Sequence, residues 1–469
     1  MNGNNQAFQH AGRQFVRPVE DSRTQISRGL FVFFCSVTSV DFKSLTAGSG
    51  SAFQIALGIL TTFTFILFVI NAARPKYRSK VLSSVTWLWW VFLISTPFVA
   101  VYRNVPMAHF VRTVLPQFMM GESLAMCLIL FGQDERNKDF VFKCLFYASA
   151  VSAVVNAVNG FSSGKSIDVI RYFILSPVLT VNFGMALCRL LVEGRKAGVI
   201  NIMSLLGGLV LLYLSQTRSY IGVIGAILLG IMIMLLRPPT WLSRRVRNNV
   251  WKNLTVAAVM LVVASVSVII IFPTVLTGWQ SRTSTLGSQD PTALTRIAEA
   301  AGEIEAMEAD LDHLVIGSGF GSDHIYDATF LIGVPADDRE AGRNEPTDYP
   351  GHIVWPYQFY AAGLLFGWAV PLIIAITIWC GYSRFSSYTS RIATIVLGGV
   401  LIQMSFGNIL GDRSGGMTLG LLIALALHKT PLEKRQEQLY KSSRKLVRNK
   451  TRRARFRGRP SPSFTSSDA

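Results

Sequence analysis

The stretch SQTRSYIG, residues 215–222, sets an arginine between two long apolar runs, 198–214 and 219–236. A guanidinium offers donors in a planar fork that match phosphate or pyrophosphate oxygens two at a time. Arg218 therefore has two readings: a grip on a phosphate at a membrane surface, or a side chain that snorkels to lipid headgroups and does nothing specific. Arg112 and Arg171, near the ends of other apolar runs, invite the same two readings, lining a lipid-facing pocket or snorkelling. The glycines of LVIGSGFGS at 314–322 are a weak phosphate-loop signal and a stronger turn signal. All five cysteines fall in apolar runs, which suggests neither a disulfide framework nor a zinc cluster.

These residues need elements to hold them. Half of the 469 residues are hydrophobic, only 15% are charged and the mean hydropathy is +0.39, which places the chain in a bilayer. Apolar windows long enough to cross the hydrocarbon as helices recur about twelve times: 29–44, 52–73, 81–101, 107–131, 140–160, 168–192, 198–214, 219–236, 253–272, 355–380, 392–410 and 414–428. The expected fold is all-α, a polytopic bundle of about 12 transmembrane helices. Asp41 and Lys43 make the first window the weakest, and its loss would put the two termini on opposite sides.

Charge tests that count, because Lys and Arg accumulate in short cytoplasmic loops. With the N-terminus inside and twelve crossings, 34 of the 45 Lys and Arg residues fall inside and 11 outside. The inside segments include RPKYRSK at 74–80, DERNKD at 134–139, EGRK at 193–196 and RPPTWLSRRVRNNVWK at 237–252. Both termini are then cytoplasmic, and Arg218 lies in a very short outer turn where basic residues are scarce. The formal charge of +18 comes mainly from residues 429–459, with 13 basic residues before a Pro/Ser-rich end expected to be disordered. Beside a last span, such a tail suits anionic lipid headgroups better than nucleic acid. The polar first 28 residues, and the lack of an A-x-A-like site after the first apolar run, fit an uncleaved anchor. No internal repeat and no Walker loop is visible, which argues against ATP-driven transport by this chain alone.

The segments are therefore 1–28, cytoplasmic; 29–272, nine helices; 273–352, a periplasmic loop; 353–428, three helices; and 429–469, the basic tail. The loop reverses the charge of the rest, with 14 acidic residues against Arg282, Arg296, Arg339 and Arg343. Asp290 and Pro291 suit the first positions of a helix, and Ile297, Ala301, Ile304, Met307, Leu311 and Leu314 then share one stripe. That stripe is expected to pack on the span bundle, the alternative being the membrane surface, whose anionic lipid would repel the acidic face.

The order of features resembles the O-antigen ligase/polymerase family of bacterial envelope glycan assembly. It carries many spans, the Ser215–Arg218 turn, one large outer loop with Arg296 in its first half, the glycines 317, 319 and 321, and His352 in GHIVWPYQFYAAGLLFG at 351–367. The likeness runs roughly from the fifth span onward and rests on short motifs in a fixed order. It implies an inner-membrane glycosyltransferase that uses an undecaprenyl-pyrophosphate-linked glycan donor and a glycan acceptor, without nucleotide sugar, metal or other cofactor. Implied partners are membrane lipids, a chain-length regulator and a flippase, and no nucleic acid. A ligase passes polymer to lipid A core; a polymerase passes it to another lipid-linked repeat unit. The ligase pattern of His, then Asn, Ser or Gln, nine residues and Gly-x-x-Gly is departed from at Ile353 and at Gly367, one residue late, which leaves the polymerase ahead.

Under that resemblance Arg218 and Arg296 clamp the pyrophosphate, and His352 takes the acceptor's proton or orients the acceptor. Otherwise His352 is an interfacial anchor of the tenth span. Carboxylates such as Glu303, Glu345 or Asp348 are candidates for sugar hydroxyls, and Asp412 and Arg413 are read as pairing with each other. A transporter or flippase is the competing class; it calls for ionisable residues at mid-span, which the pattern does not clearly display.

Overall fold

In a computed structural model of the chain, the described residues are 22–40, 50–162, 176–271, 273–284, 291–323, 353–411 and 413–431, with 170, 174, 433–435, 437–439 and 442. Their regular structure is entirely helical. In order come α1 (Ser22–Ser39), α2 (Gly50–Asn71), α3 (Lys80–Tyr102), α4 (Met107–Gln133), α5 (Asn137–Ser162), α6 (Pro177–Glu193), α7 (Val199–Leu214) and α8 (Ser219–Leu236). There follow α9 (Arg244–Ile271), α10 (Pro273–Ser284), α11 (Pro291–Glu308), α12 (Leu311–Ile316), α13 (Val354–Phe366), α14 (Ala369–Gly381), α15 (Tyr388–Met404) and α16 (Arg413–Leu427). Five of these, α3, α4, α5, α8 and α9, are long and apolar enough to cross a membrane, or six if the bent pair α13 and α14 counts as one span. The chain is a membrane protein on this architecture. Shorter apolar helices cover Ile55–Asn71, Val199–Leu214, Tyr388–Met404 and Arg413–Leu427.

The centre of the bundle is α16, every residue of which is buried. It lies along α4 at backbone distance because both helices offer small residues: a Cβ on Gly416 would collide with the Pro116 carbonyl, and one on Gly420 would press on Met120 and Ser123. Close backbone approach through glycine is how helices associate when apolar burial alone gives no preference. A second seam joins α15 to α6 and α8, where Val396 fills the space at Gly184 and Ile227 that at Gly399.

Charged loops collect at one end. There Arg28 donates from Nε to Asn137 Oδ1 at 2.7 Å and pairs with Asp134 at 3.4 Å. Lys138 Nζ donates to Ser387 Oγ and to the His428 carbonyl, both at 2.7 Å, and pairs with Glu433 at 3.4 Å. Trp241 donates to the Ser386 carbonyl, and Tyr388 to Glu193.

The span expected over 355–380 is not one straight helix. Its halves, α13 and α14, meet at 95°. The cause is local: Gly363 has φ of 64°, outside the helical region, where only glycine sits without strain. The two ends of the pair lie beside opposite ends of α15. Trp355, at the start of α13, donates to Ser405 just past the end of α15, whereas Arg391, near the start of α15, donates to the Ser383 carbonyl just past α14.

Candidate functional site

The end of the bundle away from the charged loops gathers the motif-bearing segments. Helix α7 stops at Leu214, and the turn that follows is fixed by its own side chains. Ser215 and Gln216 are buried, Gln216 takes a left-handed φ of 50°, and Thr217 Oγ1 donates to the Ser215 carbonyl at 3.0 Å. Tyr220, buried as the second residue of α8, donates to the Ser176 carbonyl at 3.3 Å. Arg218 thus starts α8 half-buried on a rigid corner, and Trp279 of α10 donates to the Tyr213 carbonyl at 3.2 Å beside it.

Arg296 lies on α11, which begins at Pro291 as expected, but the stripe is split: Met307 is buried and Leu314 packs on the core, while the other large side chains point outward. Ile297, Ile304 and Leu311 are 46%, 48% and 73% exposed, whereas Glu299 and Glu303 are 2% and 1% exposed, with Thr295, Ala298 and Met307 also buried. Buried carboxylates are kept where polar groups find partners, and Glu303 has the hydroxyls of α13 near it. The helix packs on α13, and it breaks at Ala309–Asp310 before α12 instead of running on to Leu314. Arg296, Glu299 and Glu303 fall at i, i+3 and i+7, one face of the helix. Glu303 lies within electrostatic reach of the hydroxyls of Tyr357 and Tyr360 on α13.

The glycine stretch is a packing turn. Gly317, Gly319 and Gly321 have φ of 91°, 89° and 84°, and a Cβ on Gly321 would run into the His109–Phe110 backbone of α4. Its amides are committed: Ser318 N–H donates to the Tyr360 carbonyl at 2.8 Å and Gly319 N–H to the Ala361 carbonyl at 3.0 Å. Phe320 is buried edge-on between Phe92 and Tyr357. The preceding α12 is clamped from α3, where Arg103 pairs with Asp312 at 3.0 Å and donates to the Gly317 carbonyl, and Tyr102 donates to Asp312.

Arg112 stands exposed on α4, one turn past His109, whose Nδ1 is 4.0 Å from Asp323. Thr113 of the same turn is buried toward Tyr357. The segments carrying Arg112, Arg296 and the glycine turn are thus joined through α13, and Arg218 occupies the same end. His352, Arg171, Glu345, Asp348 and Asp412 lie outside the described residues. Arg413 is buried at the start of α16.

Several residues here were not singled out from the sequence. Tyr357 and Tyr360 in the run WPYQFY carry a signal, two hydroxyls three residues apart beside the motif histidine. His109 and Arg112 at i and i+3 carry another. Glu122, in the middle of α4 and 1% exposed, is a mid-span carboxyl that the pattern reading passed over. Among the described residues no group of three or more His, Cys, Asp or Glu side chains could hold a metal ion, and the five cysteines are free, each in a different helix. No protein-family model matches the chain, and no curated protein matches it in sequence.

Proposed function

We propose that the chain is an integral membrane glycosyltransferase that joins undecaprenyl-pyrophosphate-linked glycan units at the periplasmic face of the bacterial inner membrane, as a polymerase. The observation that carries this reading is the polar face of α11. Glu299 and Glu303 turn inward where α11 packs on α13, with half-buried Arg296 on the same face, at the end of the bundle that also holds Arg218. The finer topology belongs to the same proposal: twelve crossings, residues 273–352 periplasmic and both termini cytoplasmic. The collection of basic loops at the opposite end supports it.

In the reaction an acceptor hydroxyl attacks the anomeric carbon of the donor and the bond from that carbon to the pyrophosphate oxygen breaks. Negative charge develops on the departing undecaprenyl pyrophosphate, where the forks of Arg218 and Arg296 stabilise it. The acceptor's proton passes to a base, for which His352 is the proposed residue. The donor arrives laterally by its lipid tail, so local arginine contacts outweigh distant, screened carboxylates of the acidic loop. Arg112 is proposed to line the donor's path, as is Arg171.

The test is the lipid-linked glycan in cells lacking the protein, complemented with wild type or Arg296→Lys. Single repeat units on undecaprenyl pyrophosphate are expected, with little rescue by lysine, which is a point charge without the fork. Full-length polymer left on that lipid would make the protein a ligase that transfers to lipid A core. Intermediates trapped on the cytoplasmic face would make it a flippase, a second reading that Glu122 at mid-span favours.

A further inference from the structure

A carboxyl in the middle of a membrane helix needs a reason to be there. Glu122 lies about 22 Å from the start of α4, itself about 40 Å long at 1.5 Å per residue. It is 1% exposed, and its Oε2 has no hydrogen-bond partner among the described residues. The neighbour that acts on its charge is the Thr62 hydroxyl of α2. At this level of the bundle α3 contributes Trp89 and Leu93 beside Gly121, and α16 contributes Gly420 beside Ser123. No Lys, Arg or His among the described residues acts on the carboxyl. An ionised carboxylate buried without a countercharge is costly enough that such groups take up a proton instead.

A route to it is also present. Between α2 and α4 runs a groove of about 340 Å³ lined by Ile55, Gly58, Ile59, Thr62, Val111 and Leu115, with Phe63 and Ile66 beyond. Leu115 and Glu122 are seven residues apart and so share a face of α4. Thr62 belongs both to the groove lining and to the surroundings of the carboxyl. Ile59 is 66% exposed at the rim, on the side of α2 that faces outward from the bundle.

We propose that Glu122 is a proton-binding site inside the hydrocarbon layer, reached from the lipid phase through the α2–α4 groove, and therefore a modification site for apolar carbodiimides. The inference is independent of which glycan reaction, if any, the protein performs. In the modification the carboxyl proton moves to one carbodiimide nitrogen and a carboxyl oxygen bonds to the central carbon. With water excluded, the acyl group then shifts from that oxygen to nitrogen. All atoms of both reactants are kept in the N-acylurea, so the mass gained is that of one whole carbodiimide.

The experiment treats the full-length protein in lipid nanodiscs with dicyclohexylcarbodiimide or with a water-soluble, amine-bearing carbodiimide, and reads peptides by mass spectrometry. The expected result is an N-acylurea on Glu122 from the apolar reagent and at least tenfold less from the soluble one. Ile59→Trp, which places bulk at the groove rim without entering the core, is expected to slow labelling several-fold. Glu122→Gln is the unlabelled control, and the wild-type comparison of the two reagents stands even if that variant folds poorly. The inference is overturned if Glu122 stays unlabelled in the folded protein yet reacts after denaturation, or if the soluble reagent labels it equally well. An unchanged rate in Ile59→Trp overturns the groove as the route.

Discussion

A side chain's chemistry is set by what it is held against, and Arg218 is held on a corner that cannot easily move. Buried Ser215 and Gln216, the left-handed backbone at Gln216 and the Tyr220 hydroxyl on Ser176 fix the start of α8. A half-exposed arginine adds little packing energy, so Arg218→Ala should insert and accumulate like wild type. Loss of one charged contact to a desolvated leaving group costs on the order of 3 kcal/mol, or about a hundredfold in rate. Under the proposed polymerase reaction, polymer should therefore fall steeply while lipid-linked donor builds up. Arg218→Lys separates charge from geometry: a near-null outcome supports a two-pronged grip, and full polymer from Arg218→Ala would return the residue to a snorkelling role. Arg218 was legible in the sequence because a basic residue in a very short turn between apolar runs stands out. Glu122 was not, because one carboxyl in an apolar run of such length barely lowers its hydropathy. Burial made it visible.

At the scale of elements, hydrophobic runs marked the helices well, since a membrane crossing demands length and apolarity together. The ends of α2, α3, α7 and α8 fall within two residues of the apolar windows. Orientation was harder to read. Periodicity tells which residues of α11 share a face, but not whether that face meets the outside or the interior, and here Glu299 and Glu303 went inside while Ile297 and Ile304 stayed out. The bend between α13 and α14 was hidden for a different reason: its cause is backbone conformation at Gly363, and the flanking apolar pattern runs on through it. That glycine yields a prediction. A Cβ at Gly363 would strike the Val315 carbonyl and the Gly317 amide, and a left-handed non-glycine residue costs about 1–3 kcal/mol before any clash. Gly363→Ala should lower the melting temperature of the purified protein and its glycan output together. Gly225, inside α8 with open space at its Cβ, gives the control: Gly225→Ala should be neutral or slightly stabilising. Equal melting of the two variants would mean that the bend is not needed to seat the glycine turn.

For the whole molecule, the arrangement of charge carries the orientation. Arg28, Asp134, Lys138, Glu193, Trp241 and Tyr388 are tied into one end by hydrogen bonds and ion pairs, and the loops between them are those rich in Lys and Arg. The proposed topology puts these loops in the cytoplasm, where Lys and Arg accumulate. The number of crossings decides where the basic tail goes, and the 95° bend is the place where the count could change by one. If α13 and α14 formed a re-entrant hairpin, the chain after Gly381 would return to the end it left. The contacts Trp355 to Ser405 and Arg391 to Ser383 instead put the two ends of this pair beside opposite ends of α15. A reporter fused after Ala469 should therefore be active only in the cytoplasm, and one fused after Ser322 only in the periplasm. Activity of both on one side would mean an odd number of crossings between them to be removed or added, and the bent pair would be the first to re-examine. Replacing the arginines at 244, 245 and 247 with glutamine should weaken the orientation signal without touching the bundle core, since those positions are exposed or half-buried. A mixed population of orientations in that variant, with wild type uniform, is the outcome that ties the fold's direction in the membrane to its basic loops.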